Sequence, residues 1–310
     1  RGLHQPAPMT RRAVPGPPFT HVLAQPESDE DVFYAPAAEA ASTRRAAQEQ
    51  HARLAHRLTA LGARPLSVPF LPGCPESVFV NDVAVLRRAG KTYRALMGRP
   101  HHQQRLPEVR PRARVLEAHG FRLHHAQHHL EGGDVLWTGL RTLLGHGFRS
   151  DRRAAGELER FTGRPTLGLQ LVDPAFYHLD TALAYLTGGE LLVAEGALAH
   201  PDLVRLHDLP EVTAVVQVPR RFAMRFGLNL LQVGRHVLLA EGCEWVAERL
   251  ALWGYQPELL QLDEFHLAGG SVACLAAPIL DDGYVPPTVE PRPTAGRRIT
   301  ADLNDNFVAA

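Results

Sequence analysis

A structural unit of about 45 to 50 residues recurs five times along this chain, and this repeat constrains the fold more than any other feature of the sequence. In most copies, apolar runs joined by a glycine-containing turn predict a β-hairpin, which a helix-like stretch and a further short strand follow. The first unit is predicted to contain the helix 37–61 and the strand 64–69, and the second the strands 77–86, 92–97 and 121–125 with a helix that ends at Gly120. The third is predicted to contain the hairpin 135–145, the helix 150–162 and the strand 166–172. The fourth and fifth are predicted to contain the strands 179–186, 190–195 and 212–218 with the helix 201–206, and the strands 228–233, 236–240 and 258–262 with the helix 244–253.

Five such units predict a closed, quasi-symmetric ring of the α/β class, because each unit buries its apolar face on its neighbours. A doubly wound α/β sheet is the alternative, since short apolar runs between helices also fit that architecture. Proline-rich ends bound the compact part, which we predict as a single domain over residues 9–284. Residues 1–8 precede Met9, a natural start, and are predicted as an N-terminal extension, whereas residues 285–310 are predicted as a proline-rich tail.

Charge and composition limit the classes of binding partner that the protein is expected to have. Lys and Arg number 33 and Asp and Glu number 33, so the formal net charge is zero and neither nucleic acid nor an anionic membrane is an expected partner. The longest apolar stretch, residues 269–280, is shorter than the roughly 18 residues that cross a bilayer, and we predict a cytoplasmic protein. Cys74, Cys243 and Cys274 are odd in number and unevenly spaced, which disfavours a disulfide framework or a zinc knuckle.

Two segments in the first half of the chain carry acids in unusual surroundings. Residues 75–85 predict an apolar strand that contains Asp82, and a buried carboxylate is costly unless a cation neutralises it. Residues 130–136 hold two acids around a glycine pair, which allows another backbone or a ligand to approach closely. Both segments therefore predict carboxylates at a buried site for a cation.

Two later segments carry a histidine and a cysteine. In residues 176–181, an alternating pattern predicts that His178 and Asp180 lie on one face of a strand. Residues 269–275 are a glycine turn that leads to Cys274. Each motif alone is more often a core residue or a turn. Together, however, a thiolate, an imidazole and several carboxylates are what attack on a cationic, planar carbon needs.

With these residues the chain resembles the guanidine-modifying enzymes of the pentein fold, the five-bladed β/α propeller, and especially the dimethylarginine dimethylaminohydrolases. The resemblance spans about residues 9–280 and includes all four segments in order. It implies that Cys274 is the nucleophile and that His178 is the general acid and base. It also implies that Glu131 holds the guanidinium and orients the histidine.

The resemblance assigns further residues to substrate binding. Asp82 would grip the guanidinium nitrogens, with Glu76 nearby. Arg149 and Arg105 match two arginines that bind the α-carboxylate of the substrate, and a guanidinium fork is suited to bidentate recognition of a carboxylate.

Two positions depart from the dimethylarginine pattern and concern the substrate. The chain has Asn81 before Asp82 where those enzymes have Glu-Asp, which removes one negative charge. It has Asp180 where they have lysine, as in arginine deiminases, arginine dihydrolases and amidinotransferases. In those relatives the second acid pairs with unsubstituted guanidinium nitrogens, so Asp180 favours a free guanidino end.

We therefore expect a cysteine-dependent hydrolase of an arginine-type guanidine that gives citrulline and an amine through a thiouronium on Cys274. The alternatives are an arginine deiminase or dihydrolase and, behind them, an amidinotransferase. A non-catalytic pentein such as the ribosome anti-association factor is disfavoured because Cys274, His178 and Glu131 occur together. The mechanism calls for no metal or organic cofactor, and the sequence leaves a homodimer open.

Two further segments of the sequence give weaker predictions. The run 124–129 contains four histidines, but it is predicted at a strand end without an acid or cysteine spaced to complete a tetrahedral metal site. The acidic segment 19–32 is predicted either as a lid over the site, as in relatives, or as a surface loop.

Overall fold

The computed structural model describes residues 20–24, 26 and 40–281, and the statements below concern those residues. The predicted extension 1–8 and tail 285–310 lie outside them. The strands are β1 (His21–Ala24), β2 (Pro65–Val68), β3 (Ala84–Ala89), β4 (Thr92–Met97), β5 (Phe121–His125), β6 (Val135–Trp137), β7 (Thr142–His146), β8 (Thr166–Gln170), β9 (Leu183–Tyr185), β10 (Glu190–Ala194), β11 (Ala214–Val218), β12 (Leu231–Val233), β13 (His236–Ala240), β14 (Gln256–Leu260) and β15 (Ala277–Asp281). The α-helices are α1 (Ala40–Ala60), α2 (Leu106–Ala118), α3 (Ala155–Thr162), α4 (Leu179–Ala182), α5 (His200–His207), α6 (Arg220–Ala223), α7 (Glu244–Leu252), α8 (Asp263–Leu267) and α9 (Val272–Leu275).

The strands form three-stranded units of one design, in which an antiparallel pair is extended by a parallel third strand. This pattern holds for β3-β4-β5, β6-β7-β8, β9-β10-β11 and β12-β13-β14, which confirms the predicted second to fifth units. The mixed sheets differ from a doubly wound parallel sheet, because an antiparallel hairpin is present in each of these four units.

The first unit is assembled from both ends of the described chain. Strand β1 pairs antiparallel with β15 and parallel with β2, so the same design is completed by residues far apart in sequence. Strand β15 also pairs with β3, which joins the first two units into a six-stranded sheet. The prediction of a lid or loop was wrong for His21–Ala24, which is a buried strand, while most of the segment 19–32 lies outside the described residues.

The longer helices lie where the sequence predicts them, with small differences at their ends. Helix α3 ends at Gly163, whose φ of 69° is the left-handed conformation that glycine adopts at a helix C-terminus. The predicted helix 150–162 is divided, because Arg152–Ala154 forms a 3₁₀ turn before α3 begins. No helix of residues 40–281 is long and apolar enough to span a bilayer.

The segments that carry the candidate site residues differ from their predicted strands. Asp82 lies in a 3₁₀ turn (Val80–Val83), His178 immediately precedes α4, and Cys274 lies in α9. The alternating pattern of residues 176–181 was misleading, since a short apolar run fits a helical turn as well as a strand.

Long-range caps stabilise two of these helical turns. Asp134 Oδ1 accepts a hydrogen bond of 3.0 Å from the Leu179 amide at the start of α4, and Asn229 Oδ1 accepts one of 2.9 Å from the Ala273 amide in α9. The first amides of a helix have no partner within the helix, and these buried side chains supply one. The caps come from other units of the fold, so the local pattern could not indicate them.

Candidate active site

The candidate site residues share one place in the architecture: they precede the first strand of their unit. Asp82 precedes β3, Glu131 precedes β6, His178 and Asp180 precede β9, and Cys274 precedes β15. All five side chains are buried. The structure brings them together, because contacts link each of these residues to at least one of the others.

His178 is held between two carboxylates. Its Nε2 lies 2.7 Å from Glu131 Oε2, and its Nδ1 lies 3.6 Å from Asp82 Oδ1. Burial disfavours the imidazolium, but the negative charge of Asp82 and the hydrogen bond with Glu131 outweigh burial and raise the pKa of His178. For Glu131, burial opposes ionisation, whereas the hydrogen bond and charge of His178 lower its pKa. The pair is therefore a buried imidazolium and carboxylate at neutral pH.

The glycine pair permits this close packing, as the sequence predicts. A Cβ added to Gly132 would lie 1.9 Å from the backbone oxygen of Asn81, and one added to Gly133 would lie 2.7 Å from Asp82 Oδ1 and 2.9 Å from His178 Nδ1. No side chain fits at either position without displacing the site residues. The pair thus allows the 130–136 segment to pack directly against Asp82 and His178.

Cys274 lies beside Asp180 and Asn229. Its Sγ is 3.9 Å from Asp180 Oδ2, and Asn229 Nδ2 lies 3.3 Å from the same sulfur. Burial and the negative charges of Asp180 and Asp82 raise the pKa of the Cys274 thiol. The sulfur is consequently a thiol until a positive charge enters the site and favours the thiolate.

Asp82 and Asp180 each present a carboxylate oxygen that lacks a hydrogen-bond partner. Asp82 Oδ1 and Asp180 Oδ1 are buried and accept no hydrogen bond from any residue in the described part of the chain. Asn81 Nδ2 donates to the other oxygen of Asp180 at 3.2 Å. Burial raises the pKa of Asp180 to about 7. Buried acceptors that receive no hydrogen bond are costly, and two of them in one site are suited to a planar cation that donates several hydrogen bonds.

Arg105 is buried and surrounded by acids. It donates from Nη1 to Asp82 Oδ2 and makes two 2.9 Å hydrogen bonds to Glu108, while Glu76 lies 3.4 Å away and is partly exposed. Burial opposes its charge, but Asp82 and Glu108 raise the pKa of Arg105. These contacts orient Asp82, and the predicted contact of Arg105 with a substrate carboxylate stays a prediction. Glu76 likewise contacts Arg105, and its role toward substrate stays a prediction.

Arg149 lies near the histidine through the ring of Tyr177. Its guanidinium is 4.9 Å from the centre of the Tyr177 ring, and Tyr177 adjoins His178. The Tyr177 hydroxyl donates to the backbone oxygen of Gly269, which closes this side of the site. Arg149 is half-buried, so its charge can meet a substrate group that remains close to solvent.

Sequence reasoning missed Asn229, which contacts Cys274 and caps α9. It predicted Asp134 only as one of the two acids of residues 130–136, without the structural role that it has here, which is to accept hydrogen bonds from the amides of Ser150 and Leu179. Burial raises the pKa of Asp134 to about 6. Asn229 precedes β12 at the position that corresponds to the site residues of the other units. This signal was hidden in the sequence, because the predicted strand 228–233 includes Asn229.

The turn before Asn229 has strained backbone. Phe226 adopts a φ of 61°, which an L-residue with a bulky side chain rarely does, and its carbonyl accepts a hydrogen bond from the Asn229 amide. This strained turn places Asn229 beside Cys274, and the contact of Asn229 with the site gives a reason for the strain.

Within the described residues, one group of side chains has metal-ligand spacing. It comprises Asp82, Glu131 and His178, whose ligand atoms all lie within 4.8 Å of one another. His178 and Glu131 already pair with each other, and Arg105 already supplies a positive charge to Asp82. In the predicted histidine run, His128 pairs instead with Glu157, 2.5 Å away.

Comparisons with known proteins agree with this geometry. No protein-family model matches the chain. The dimethylarginine dimethylaminohydrolase of Mycobacterium tuberculosis is 33% identical over 236 residues, which cover 74% of each chain. A bifunctional arginine dihydrolase/ornithine cyclodeaminase of Synechocystis is 28% identical over 230 residues, which cover 71% of this chain and 32% of that protein.

A solved structure supports the fold. The product-bound N-terminal domain of ArgZ, a cyanobacterial arginine dihydrolase, superposes with a TM-score of 0.75 at 24% identity and covers 84% of this chain and 98% of that one. The predicted family resemblance is therefore confirmed by sequence and by fold together. The chain belongs to the guanidine-modifying pentein family that includes dimethylarginine dimethylaminohydrolase.

Proposed function

We propose that the protein is a cysteine-dependent hydrolase of an arginine-type guanidine, with dimethylarginine as its first candidate substrate and citrulline and an amine as products. One observation carries the proposal: the Cys274 thiol, the His178–Glu131 pair and two carboxylate oxygens that accept no hydrogen bond lie in one buried site. The similarity to the mycobacterial dimethylarginine dimethylaminohydrolase supports the same activity.

Binding of the substrate is the step that activates the thiol. The guanidinium donates hydrogen bonds to Asp82 and Asp180, whose free oxygens are the acceptors described above. The cation offsets the negative charges that hold the Cys274 pKa high, so the thiol loses its proton to solvent and the thiolate forms beside the carbon that it attacks. Arg149 and Arg105 are the proposed partners of the substrate carboxylate.

The covalent step follows from the protonation state of His178. Thiolate attack on the guanidinium carbon forms the S–C bond, and the resulting adduct collapses as the C–N bond to the leaving amine breaks. The amine nitrogen takes that electron pair and a proton from the His178 imidazolium, so it leaves neutral. Cys274 then carries a thiouronium, whose positive charge stays near Asp82 and Asp180.

Water completes the reaction. The now neutral His178 takes a proton from water, and the hydroxide adds to the thiouronium carbon. The C–S bond then breaks with its electron pair on sulfur, and the hydroxyl proton of the adduct passes to that sulfur, which gives the neutral urea-type product and the Cys274 thiol. Glu131 stabilises the imidazolium in both half-reactions through its 2.7 Å contact with Nε2.

Hydrolysis of unmethylated arginine is the second candidate. Asp180 favours it, because a second carboxylate beside the thiol pairs with unsubstituted nitrogens, and the Synechocystis relative is named an arginine dihydrolase. An amidinotransferase would share the first half-reaction and use an acceptor amine instead of water.

A product assay separates these activities. Purified protein is incubated in parallel with dimethylarginine, monomethylarginine, arginine and agmatine, with and without an acceptor amine, and citrulline, ornithine and the released amine are measured. Citrulline with dimethylamine supports the first candidate. Turnover of arginine alone assigns the protein to the deiminase or dihydrolase branch, and the absence of turnover on all four contradicts the proposal.

The activity should depend on the ionisation of Asp180. An acid whose pKa is raised to about 7 is neutral below that pH, and a neutral Asp180 holds a guanidinium poorly. We therefore expect kcat/KM to rise as the pH increases through about 7. Asp180→Asn should lower kcat/KM at pH 8 by about 10- to 100-fold and remove this rise.

Two groups serve as controls for that profile. Burial raises the pKa of Asp134 to about 6, below the pKa of Asp180, and Asp134 is unchanged in the Asp180→Asn variant. A change in kcat/KM near pH 6 should therefore remain in that variant. Burial also raises the pKa of Glu190, which contacts Tyr255 away from the site. The Glu190→Gln variant should therefore still show the rise of kcat/KM near pH 7. An Asp180→Asn enzyme with the wild-type pH profile would contradict this role.

We also propose that the five units close into a five-bladed propeller. One cavity of about 600 Å³ supports closure, because its lining includes residues of the first strand of every unit, β3, β6, β9, β12 and β15. A homodimer and a cytoplasmic location stay predictions from the sequence.

A further inference from the structure

The cavity of about 600 Å³, which we term the central channel, shares a wall with the active site. Asn81 and Asp180 line it, and Asp180 Oδ2 is also 3.9 Å from the Cys274 sulfur. The hydrogen bond between Asn81 and Asp180 therefore lies between the nucleophile and the channel. Arg149 and Tyr177 are not among the lining residues, so they contact the site from elsewhere.

The lining of the channel changes along its length. Near the active site it is apolar, with Leu183, Leu228 and Ala273 among its residues. Beyond the strands it includes Gly62, which is exposed, and Gly139, which is half-buried. Within the described chain, the channel thus leads from the Asn81–Asp180 pair past apolar side chains toward the hairpin ends.

The covalent step creates a need for such a route. The thiouronium on Cys274 still carries the substrate's alkyl chain, which extends toward its carboxylate partners and fills the approach on that side. The Asn81–Asp180 pair lies between the thiol and the channel, so a nitrogen that departs on this side of the reacting carbon enters the channel directly. Because it leaves neutral, after taking the C–N electron pair and a proton from His178, an apolar passage does not penalise it as it would a cation.

We propose that the central channel is the exit route of the leaving amine. The inference rests on the proposed function and adds to it a path for the first product. The ligand class is a small neutral amine, either ammonia or a methylated amine. A bulkier amine has less room in such a passage, so narrowing the channel acts most strongly on the release of methylated amines.

Two substitutions narrow the channel without replacing a site residue. Leu230 and Leu136 line it and are half-buried, so a larger side chain can extend into the cavity. We expect Leu230→Trp and Leu136→Trp to lower kcat about tenfold for the largest leaving amine that the wild type accepts, and less for smaller ones, while KM changes less than twofold. Leu230→Ala, which widens the channel, should remove that dependence on amine size.

The control is the same leucine-to-tryptophan substitution at a position outside the channel. Leu252 is 65% exposed at the end of α7 and does not line the channel, so Leu252→Trp should keep wild-type kinetics. If a tryptophan variant does not fold, as judged by its melting temperature, Leu230→Met and Leu230→Phe give a graded series with the same expected order.

The outcomes are distinct. A kcat that falls with amine size at constant KM supports the exit route. A folded series with unchanged kcat ratios overturns it, and a series that changes only KM shows instead that the channel holds the substituent of the bound substrate. An inactive wild type would contradict the proposed function itself, because no leaving amine would then exist.

Discussion

Cys274→Ser should reduce turnover by at least about 10⁴-fold while the protein keeps its fold. The serine hydroxyl is far less acidic than the thiol, so the charge of a bound guanidinium no longer suffices to form the attacking anion. The covalent thiouronium should disappear as well. Turnover is measured by product formation, and the adduct by the mass of acid-quenched protein.

Cys243→Ser is the matched control for this variant. Cys243 is buried like Cys274, but its Sγ donates to the Arg225 backbone oxygen, and a serine can make the same bond. Turnover should therefore remain near the wild-type value. A Cys274→Ser enzyme that retains more than a few per cent of activity would show that the sulfur is not the nucleophile.

His178→Gln should lower kcat by about 10²- to 10⁴-fold, because both half-reactions lose their proton carrier. The loss should be largest for substrates with a poor leaving amine, since glutamine cannot protonate the departing nitrogen. Glu131 would also lose its cationic partner in a buried place, so the melting temperature should fall. Rapid-quench measurement of adduct formation and decay tests both half-reactions in one experiment.

A second histidine of the chain provides the control. His236 Nδ1 lies 2.7 Å from Glu258 Oε1, which resembles the His178–Glu131 pair but lies away from the site. Glu258 is also held by Arg57, so His236→Gln leaves no carboxylate without a partner. Its kcat should be unchanged. Equal losses in the two variants would mean that the effect of His178→Gln is structural, not catalytic.

The repeat, the longer helices and the identities of the central chemical groups were predictable from the sequence. Hydrophobic periodicity and turn residues are local properties, and they located β5 and β13 to the residue and the longer helices to within a few positions. The ordered segments around Asp82, Glu131, His178 and Cys274 identified the family. Gly132 and Gly133 also indicated a close approach before any contact was known.

The tertiary structure decided how those groups are held. The helical turns at His178 and Cys274 depend on caps from Asp134 and Asn229, and the pairing of Arg105 with Asp82 joins residues 23 positions apart. Strand β1 is placed by β15 at the other end of the described chain. Such contacts are set by which units become neighbours on folding, and a buried polar group takes whichever partner that packing brings near. The local sequence therefore determined which chemistry the chain carries, and long-range packing determined its geometry.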